Sequence, residues 1–213
     1  MLEKARYIVV EGPIGAGKTA LAKRLAERLA AETLFENAEQ NPFLGRFYAD
    51  PERWGMATEL SFFFHRMDQA MRALAEMTER QRMVADFIPD KDRLFAGLNL
   101  SADEYALYKR IVEGLQPPNP PRPDLVIYLQ APPEILMEHI RQRGNEVERL
   151  ISESYVESIS RRYADFFYQY EAAPLFVVDA GVLNPVERDE DFELLFERLR
   201  TMRSYREFFG YAG

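Results

Sequence analysis

Residues 7–19 read Tyr7-Ile8-Val9-Val10-Glu11-Gly12-Pro13-Ile14-Gly15-Ala16-Gly17-Lys18-Thr19. The apolar run Tyr7 to Val10 reads as a buried strand, and Ala20-Leu21-Ala22-Lys23-Arg24-Leu25 opens a helix. Between them, Gly12-x-x-x-x-Gly17-Lys18-Thr19 matches the phosphate-binding loop in full, in the strand–loop–helix setting the motif needs. Its chemistry is that of an anion nest: backbone N–H groups over Gly12, Gly15, Ala16 and Gly17 turn inward, and the helix N-terminus adds partial positive charge. Lys18 is placed to reach the outer phosphates, and the Thr19 hydroxyl to ligate Mg²⁺. These residues imply a nucleoside triphosphate site.

The rest of the composition narrows what such a site serves. A chain of 213 residues suits one α/β domain over 1–213 with ample core. A formal charge of −8 argues against a nucleic-acid groove, because phosphate neutralisation needs a basic surface. Cysteine is absent, which excludes disulfides, thiolate metal sites and a cysteine nucleophile and fits a reducing cytoplasm. Met1 to Arg6 run straight into the first strand, so no signal peptide is expected, and no uncharged apolar run approaches the ~18 residues of a membrane span.

Strands are expected at 6–11, 33–36, 82–86, 124–130 and 175–179, and helices at about 18–31, 54–80, 103–115, 133–143, 153–171 and 189–208. This alternation predicts a parallel sheet with helices on both faces. Leu125-Val126-Ile127-Tyr128-Leu129 lacks alternation, as a strand buried on both faces should. Pro117-Pro118-Asn119-Pro120-Pro121-Arg122-Pro123 reads as a stiff connector. Ligands of open α/β sheets sit beyond the carboxyl ends of the strands, where Glu36, Asp86 and Asp179 fall.

The loop alone does not separate kinases from GTPases, but an Asn-Lys-x-Asp guanine motif and an Asp-x-x-Gly switch are both missing. The residues beyond the loop are more specific. Glu36 precedes Asn41-Pro42-Phe43-Leu44, Phe47-Tyr48-Ala49-Asp50 and Trp54, with Glu59 and Arg66 seven residues apart beyond them. Asp86-Phe87-Ile88 with Lys91 and Phe95-Ala96 comes next, then Arg141-Gln142-Arg143-Gly144-Asn145-Glu146-Val147-Glu148. In order and spacing this resembles the deoxyribonucleoside kinase family, most closely its bacterial deoxyguanosine kinase branch.

The resemblance implies a P-loop kinase fold: a doubly wound, five-stranded parallel sheet with a phosphate loop at 12–19 and an Arg-containing lid at about 141–152. It also implies a cytoplasmic enzyme that uses ATP and Mg²⁺ to phosphorylate a deoxynucleoside 5′-hydroxyl. Glu36 would be the base for that hydroxyl, aided by Lys18. Tyr48 and Glu148 would hold the sugar 3′-hydroxyl, and Arg143 would fold over the transferring phosphate. Asp86 would contact Mg²⁺ through water or position the 5′-hydroxyl. Phe87 stands where the family has an arginine, with Lys91 the nearest substitute, and His139 and Asn145 replace further lid arginines. Trp54 would wall the nucleoside pocket. Family members are typically dimers, so a homodimer or a pairing with a second kinase subunit is expected, with the helix at 54–80 contributing.

Seven residues is nearly two helical turns, so Glu59 and Arg66 share a face, with Phe62 and Phe63 on or near it. A carboxylate matches the two adjacent donors of guanine, and an arginine matches O6 and N7. Deoxyguanosine is therefore the expected acceptor. Two rivals remain: a thymidylate-kinase-like monophosphate kinase, and a non-catalytic nucleotide-binding subunit. The first needs a cationic acceptor pocket, whereas Glu36, Glu39, Asp50, Glu52 and Glu59 crowd that region. The second would have lost Lys18, Glu36 or the lid cation, and all three are present.

Overall fold

The computed structural model describes residues 1–76, 81–88, 91–115 and 122–210, with the backbone alone over 72–76. The chain runs β1 (Tyr7–Glu11), α1 (Lys18–Leu29), β2 (Glu32–Leu34), α2 (Leu44–Ala49), α3 (Pro51–Glu76) and β3 (Met83–Ala85). It continues through α4 (Lys91–Asn99), α5 (Ala102–Leu115), β4 (Leu125–Gln130), α6 (Pro133–Arg143), α7 (Glu153–Tyr168), β5 (Leu175–Asp179), α8 (Asp189–Thr201) and β6 (Arg206–Phe209). Short 3₁₀ turns sit at Ala38–Gln40 and Val147–Leu150.

The strands form one parallel sheet in the order β2-β3-β1-β4-β5-β6. Successive side chains of a strand point to opposite faces, and both faces here are covered. Ile8, Val10, Ile127, Leu129 and Val178 pack on one face with Leu21 and Leu25 of α1, Leu136 of α6 and Leu195 of α8. Tyr7, Val9, Val126 and Tyr128 pack on the other with Leu94 of α4 and Ile159, Tyr163 and Phe167 of α7. A third cluster joins Phe63 of α3 to Ala96, Tyr108 and Val112 of α4 and α5. Among the described residues, no helix is long and apolar enough to cross a membrane.

Among the described residues the sheet has six strands rather than the expected five. The helix expected over 189–208 stops at Thr201, and Arg203 N and Ser204 N then donate to Glu207 Oε1 at 2.9 and 3.0 Å, turning the chain into β6. Leu195 and Leu199 carry a helical period that simple extrapolation extends too far, and four residues of edge strand are too few to show a period of two. The short helices α2 and α4 are additions to the expected elements. β2 and β3 end earlier than expected, leaving Glu36 two residues and Asp86 one residue past their strands. Residues 117–121 of the proline-rich connector, and Gln116 before it, lie outside the described residues.

Candidate active site

The phosphate loop leaves the central strand β1 and runs into the first turn of α1, which begins at Lys18. Gly15 and Gly17 hold φ of 86° and 84°, the left-handed region that L side chains rarely adopt. A Cβ on Gly15 would also lie 2.6 Å from the Leu136 carbonyl oxygen of α6. The same loop is held from α6 by His139, whose Nδ1 lies 2.9 Å from Gly15 O. A carbonyl only accepts, so Nδ1 carries the proton. His139 is thus a loop support, at a position where the family pattern has a lid cation.

Lys18 Nζ donates to Pro13 O at 3.0 Å, folding back over its own loop. Burial pulls the Lys18 ammonium down from its ordinary range; Glu11 opposes that, Lys91 adds to it, and Asp86 and Glu36 oppose it. Thr19 donates its hydroxyl to Asp86 Oδ2, while Asp86 Oδ1 accepts from Glu36 N at 2.7 Å. A hydroxyl and a carboxylate side by side suit a hard cation that keeps several waters and takes its other ligands from phosphates, which is the habit of Mg²⁺. Among the described residues there is no group of three or more His, Asp or Glu that could hold a metal ion.

Beside the loop lies a cavity whose lining includes Ile14, Lys18, Glu36, Tyr48, Glu59, Phe62, Arg66, Asp86, Lys91, Asn99, Arg143, Glu148 and Tyr155. At its floor is an ion network. Glu36 Oε2 accepts from Lys91 Nζ at 2.7 Å and Oε1 accepts from Arg66 Nη1, while Arg66 Nη2 donates to Asp92 Oδ1. Burial alone would raise the Glu36 carboxyl, but Lys91 and Arg66 hold it down at about 2. Burial raises Asp92 against the pull of Arg66, and the carboxylates around Arg66 and Lys91 keep both cations firmly protonated despite burial.

This departs from two expectations. Arg66 is expected to read a base, yet both of its Nη groups are committed to carboxylates and only Nε lacks a partner. Lys91 is expected to replace a phosphate-facing arginine, yet it is almost fully buried between Glu36 and Glu11. Both cations serve the candidate base. Their seven-residue spacing does put Glu59 and Arg66 on one cavity wall, together with Phe62. Phe63 is instead core, 2% exposed.

Glu59 is 1% exposed. Its Oε1 accepts from Asn99 Nδ2 at 2.7 Å, and the Asn99 Oδ1 accepts from the Tyr155 hydroxyl at 3.1 Å. Oε2 is buried without a partner. Burial pushes the Glu59 carboxyl up to about 7 in spite of Asn99 and Arg66.

At the other end of the cavity, Arg143 Nε pairs with Glu148 Oε2 at 3.1 Å. Burial raises the Glu148 carboxyl against the pull of Arg143 and Lys18, and burial and Glu148 together raise the Tyr48 phenol. Tyr48 lies edge-on to Tyr155, centroids 6.3 Å apart. The residues expected around a sugar and a transferring phosphate therefore converge. Trp54 does not join them: it stacks on Phe43 at 5.9 Å and lies under the Arg46 guanidinium at 4.8 Å, outside the cavity lining.

Sequence reading missed Asp92, Asn99 and Glu11. The first two sit on α4, whose nine residues give no separate helical signal. Glu11 carries one: a carboxylate ending an otherwise apolar strand is costly to bury unless it has partners.

The sequence profile of the deoxynucleoside kinase family matches residues 8–202. The deoxyguanosine kinase of Bacillus subtilis (strain 168) is 30% identical, over 94% of this chain and 99% of that protein. The deoxyadenosine/deoxycytidine kinase of the same organism is 31% identical, over 91% of this chain and 87% of that one. A solved structure of deoxyadenosine kinase from M. mycoides with bound dATP aligns with a TM-score of 0.80 at 26% identity, covering 92% of this chain and 100% of that one. Relatives named for different bases stand at nearly equal distance, so overall identity does not choose among bases. With a phosphate loop at the centre of a parallel sheet and a profile match spanning nearly its whole length, the chain belongs to the deoxynucleoside kinase family.

Proposed function

We propose that this deoxynucleoside kinase phosphorylates the 5′-hydroxyl of purine deoxynucleosides, with deoxyguanosine preferred, using ATP as donor and Mg²⁺ as cofactor. The observation that carries the base preference is Glu59, a cavity-lining carboxylate with one buried oxygen bare and the other held by Asn99. Guanine offers N1–H and its 2-amino group as adjacent donors. Oε2 takes one, and Oε1 keeps a lone pair for the other beyond its bond to Asn99. Adenine and cytosine present a donor beside an acceptor, which a carboxylate does not satisfy.

In the reaction, Tyr48 and Glu148 hold the 3′-hydroxyl, and the 5′-hydroxyl lies against Glu36. Glu36 takes the proton as the 5′-oxygen bonds to the γ-phosphorus and the bond to the ADP oxygen breaks. Thr19 and Asp86 would hold Mg²⁺, which would supply positive charge to the phosphates. With two cations on it, Glu36 is a weak base; phosphoryl transfer depends chiefly on positioning and electrostatics, so orienting the hydroxyl is its larger share. Arg143 is free to leave Glu148 for the transferring phosphate. The enzyme acts as one kinase domain over residues 1–213, in the cytoplasm, and as a homodimer to which α3 brings the exposed Phe64 and Met71.

The test is steady-state kcat/KM for deoxyguanosine, deoxyinosine, deoxyadenosine and deoxycytidine, in wild type and Glu59→Gln. Deoxyguanosine should lead deoxyadenosine by tens-fold or more, since a hydrogen bond to a charged group is worth roughly 1.5–3 kcal/mol. Equal efficiency on guanine and adenine, or an unchanged ratio in Glu59→Gln, would sink the base preference.

A further inference from the structure

Glu11 is the last residue of β1, fully buried, and belongs neither to the phosphate loop nor to the cavity lining. Its two oxygens are saturated. Oε2 accepts from Gly12 N at 2.8 Å and from the Tyr163 hydroxyl at 3.1 Å. Oε1 accepts from Ile88 N at 3.2 Å and stands 3.5 Å from Lys91 Nζ. Three backbone or phenolic donors tie the carboxylate to the first residue of the phosphate loop, the segment after β3 and α7. Its fourth neighbour is the ammonium that also bonds Glu36.

We propose that Glu11 is a positioning residue for the phosphoryl-transfer step, acting on Glu36 through Lys91. Lys91 has a long, rotatable stem, and an ammonium held by one carboxylate alone can swing around it. With Glu11 as a fixed second acceptor, Lys91 is stretched between two carboxylates, and its bond to Glu36 takes one direction. That direction leaves Glu36 a defined lone pair for the substrate hydroxyl. The shared ammonium also divides its pull, so that Glu36 is not fully neutralised by Lys91 and Arg66 together. Asp92 does the same on the far side by sharing Arg66. The arrangement is an alternating row of Glu11, Lys91, Glu36, Arg66 and Asp92, with the reacting carboxylate at its centre and buried acids at both ends.

The inference rests on the reading of Glu36 as the residue facing the 5′-hydroxyl, and its test separates the two. Glu36→Gln alone addresses that reading. For Glu11, kcat and nucleoside KM are measured in Glu11→Gln, Lys91→Met and the double variant, with thermal unfolding of each. Glu11→Gln should lower kcat about ten-fold, equivalent to ~1.4 kcal/mol, and leave nucleoside KM within about three-fold. In the Lys91→Met background the same change should cost almost nothing in kcat. It should also restore part of the stability that Lys91→Met removes, because the double variant buries no unpaired carboxylate at this place. Where Glu11→Gln folds poorly, Glu11→Asp, which draws the carboxylate back from Lys91, should reproduce the kcat loss. Equal kcat losses from Glu11→Gln with and without Lys91 would overturn the proposal, as would a loss confined to KM. Failure of both Glu11 variants to fold would make Glu11 a structural residue and end the proposal. Tyr163→Phe, which removes a Glu11 contact without touching Lys91, should keep kcat; a loss equal to that of Glu11→Gln would also count against it.

Discussion

Asn99 donates its amide to Glu59 Oε1, and because Tyr155 donates to the other end of that amide, its NH₂ group is fixed toward the carboxylate. A buried acid is thus held in one rotamer with a single bare oxygen, and its proton is the variable that remains. Its neighbours Arg66, Asp92 and Glu36 form pairs among themselves, so burial dominates and the carboxyl sits at about 7.

This gives a pH dependence of base choice. Above about 7 the ligand-free Glu59 is a carboxylate with two acceptors for guanine; below it, the protonated acid presents a donor beside an acceptor, as an amide does. The deoxyguanosine to deoxyadenosine ratio of kcat/KM should rise as pH goes from about 6 to about 8, and the rise should vanish in Glu59→Gln. A flat ratio in wild type would mean that the proton on Glu59 does not govern the base.

Glu36→Gln and Lys18→Ala should each lower turnover about 10²-fold or more, the scale of a positioned acid–base group or an electrostatic donor. Far-ultraviolet circular dichroism should confirm that folding survives. Near-full turnover of Glu36→Gln at saturating nucleoside would remove Glu36 from its role.

Arg66→Met should act on every nucleoside alike. It leaves Asp92 buried without its partner and Glu36 with Lys91 alone, and breaking a buried pair costs about 3–5 kcal/mol. Urea unfolding should register that loss, and kcat should fall for deoxyguanosine and deoxyadenosine in similar proportion. A selective loss on guanine would return Arg66 to base reading.

Arg143→Ala should lower kcat far more than it raises nucleoside KM, because the charge it meets grows in the transition state. Its side chain is half exposed and held by Glu148, so little stability should go with it. A change in KM alone would place Arg143 in ground-state binding.

How much of this could be read from residues alone depends on the range of the forces involved. The phosphate loop is legible because its glycines answer local backbone demands, as Gly15 and Gly17 do, and the central strands because their apolar runs are continuous. The spacing of Glu59 and Arg66 correctly puts both on one wall. It does not reveal that Asp92, on another helix, claims the guanidinium. Trp54 has the side chain of a pocket wall, but Phe43 and Arg46, close to it in the chain, take up its ring outside the pocket. Lys91 does line the cavity, but beside other neighbours than the phosphates expected for it. A lysine opening the helix that follows a strand can turn toward phosphate or core, and one of its two carboxylate partners, Glu11, lies on a strand far away in the sequence. β6 escapes because pairing with β5, rather than any pattern of its own, makes it a strand.

Asp86 holds the Thr19 hydroxyl with one oxygen and the Glu36 backbone with the other, so in the proposed reaction a single carboxylate is shared by the phosphate side and the hydroxyl side. Any donor complex that draws Thr19 away from Asp86 alters the tether on the segment carrying Glu36. Linkage makes the relation mutual: the free energy by which one substrate changes the other's affinity is the same in either order of addition. In the proposed reaction, the two half-sites would be coupled over the width of one carboxylate.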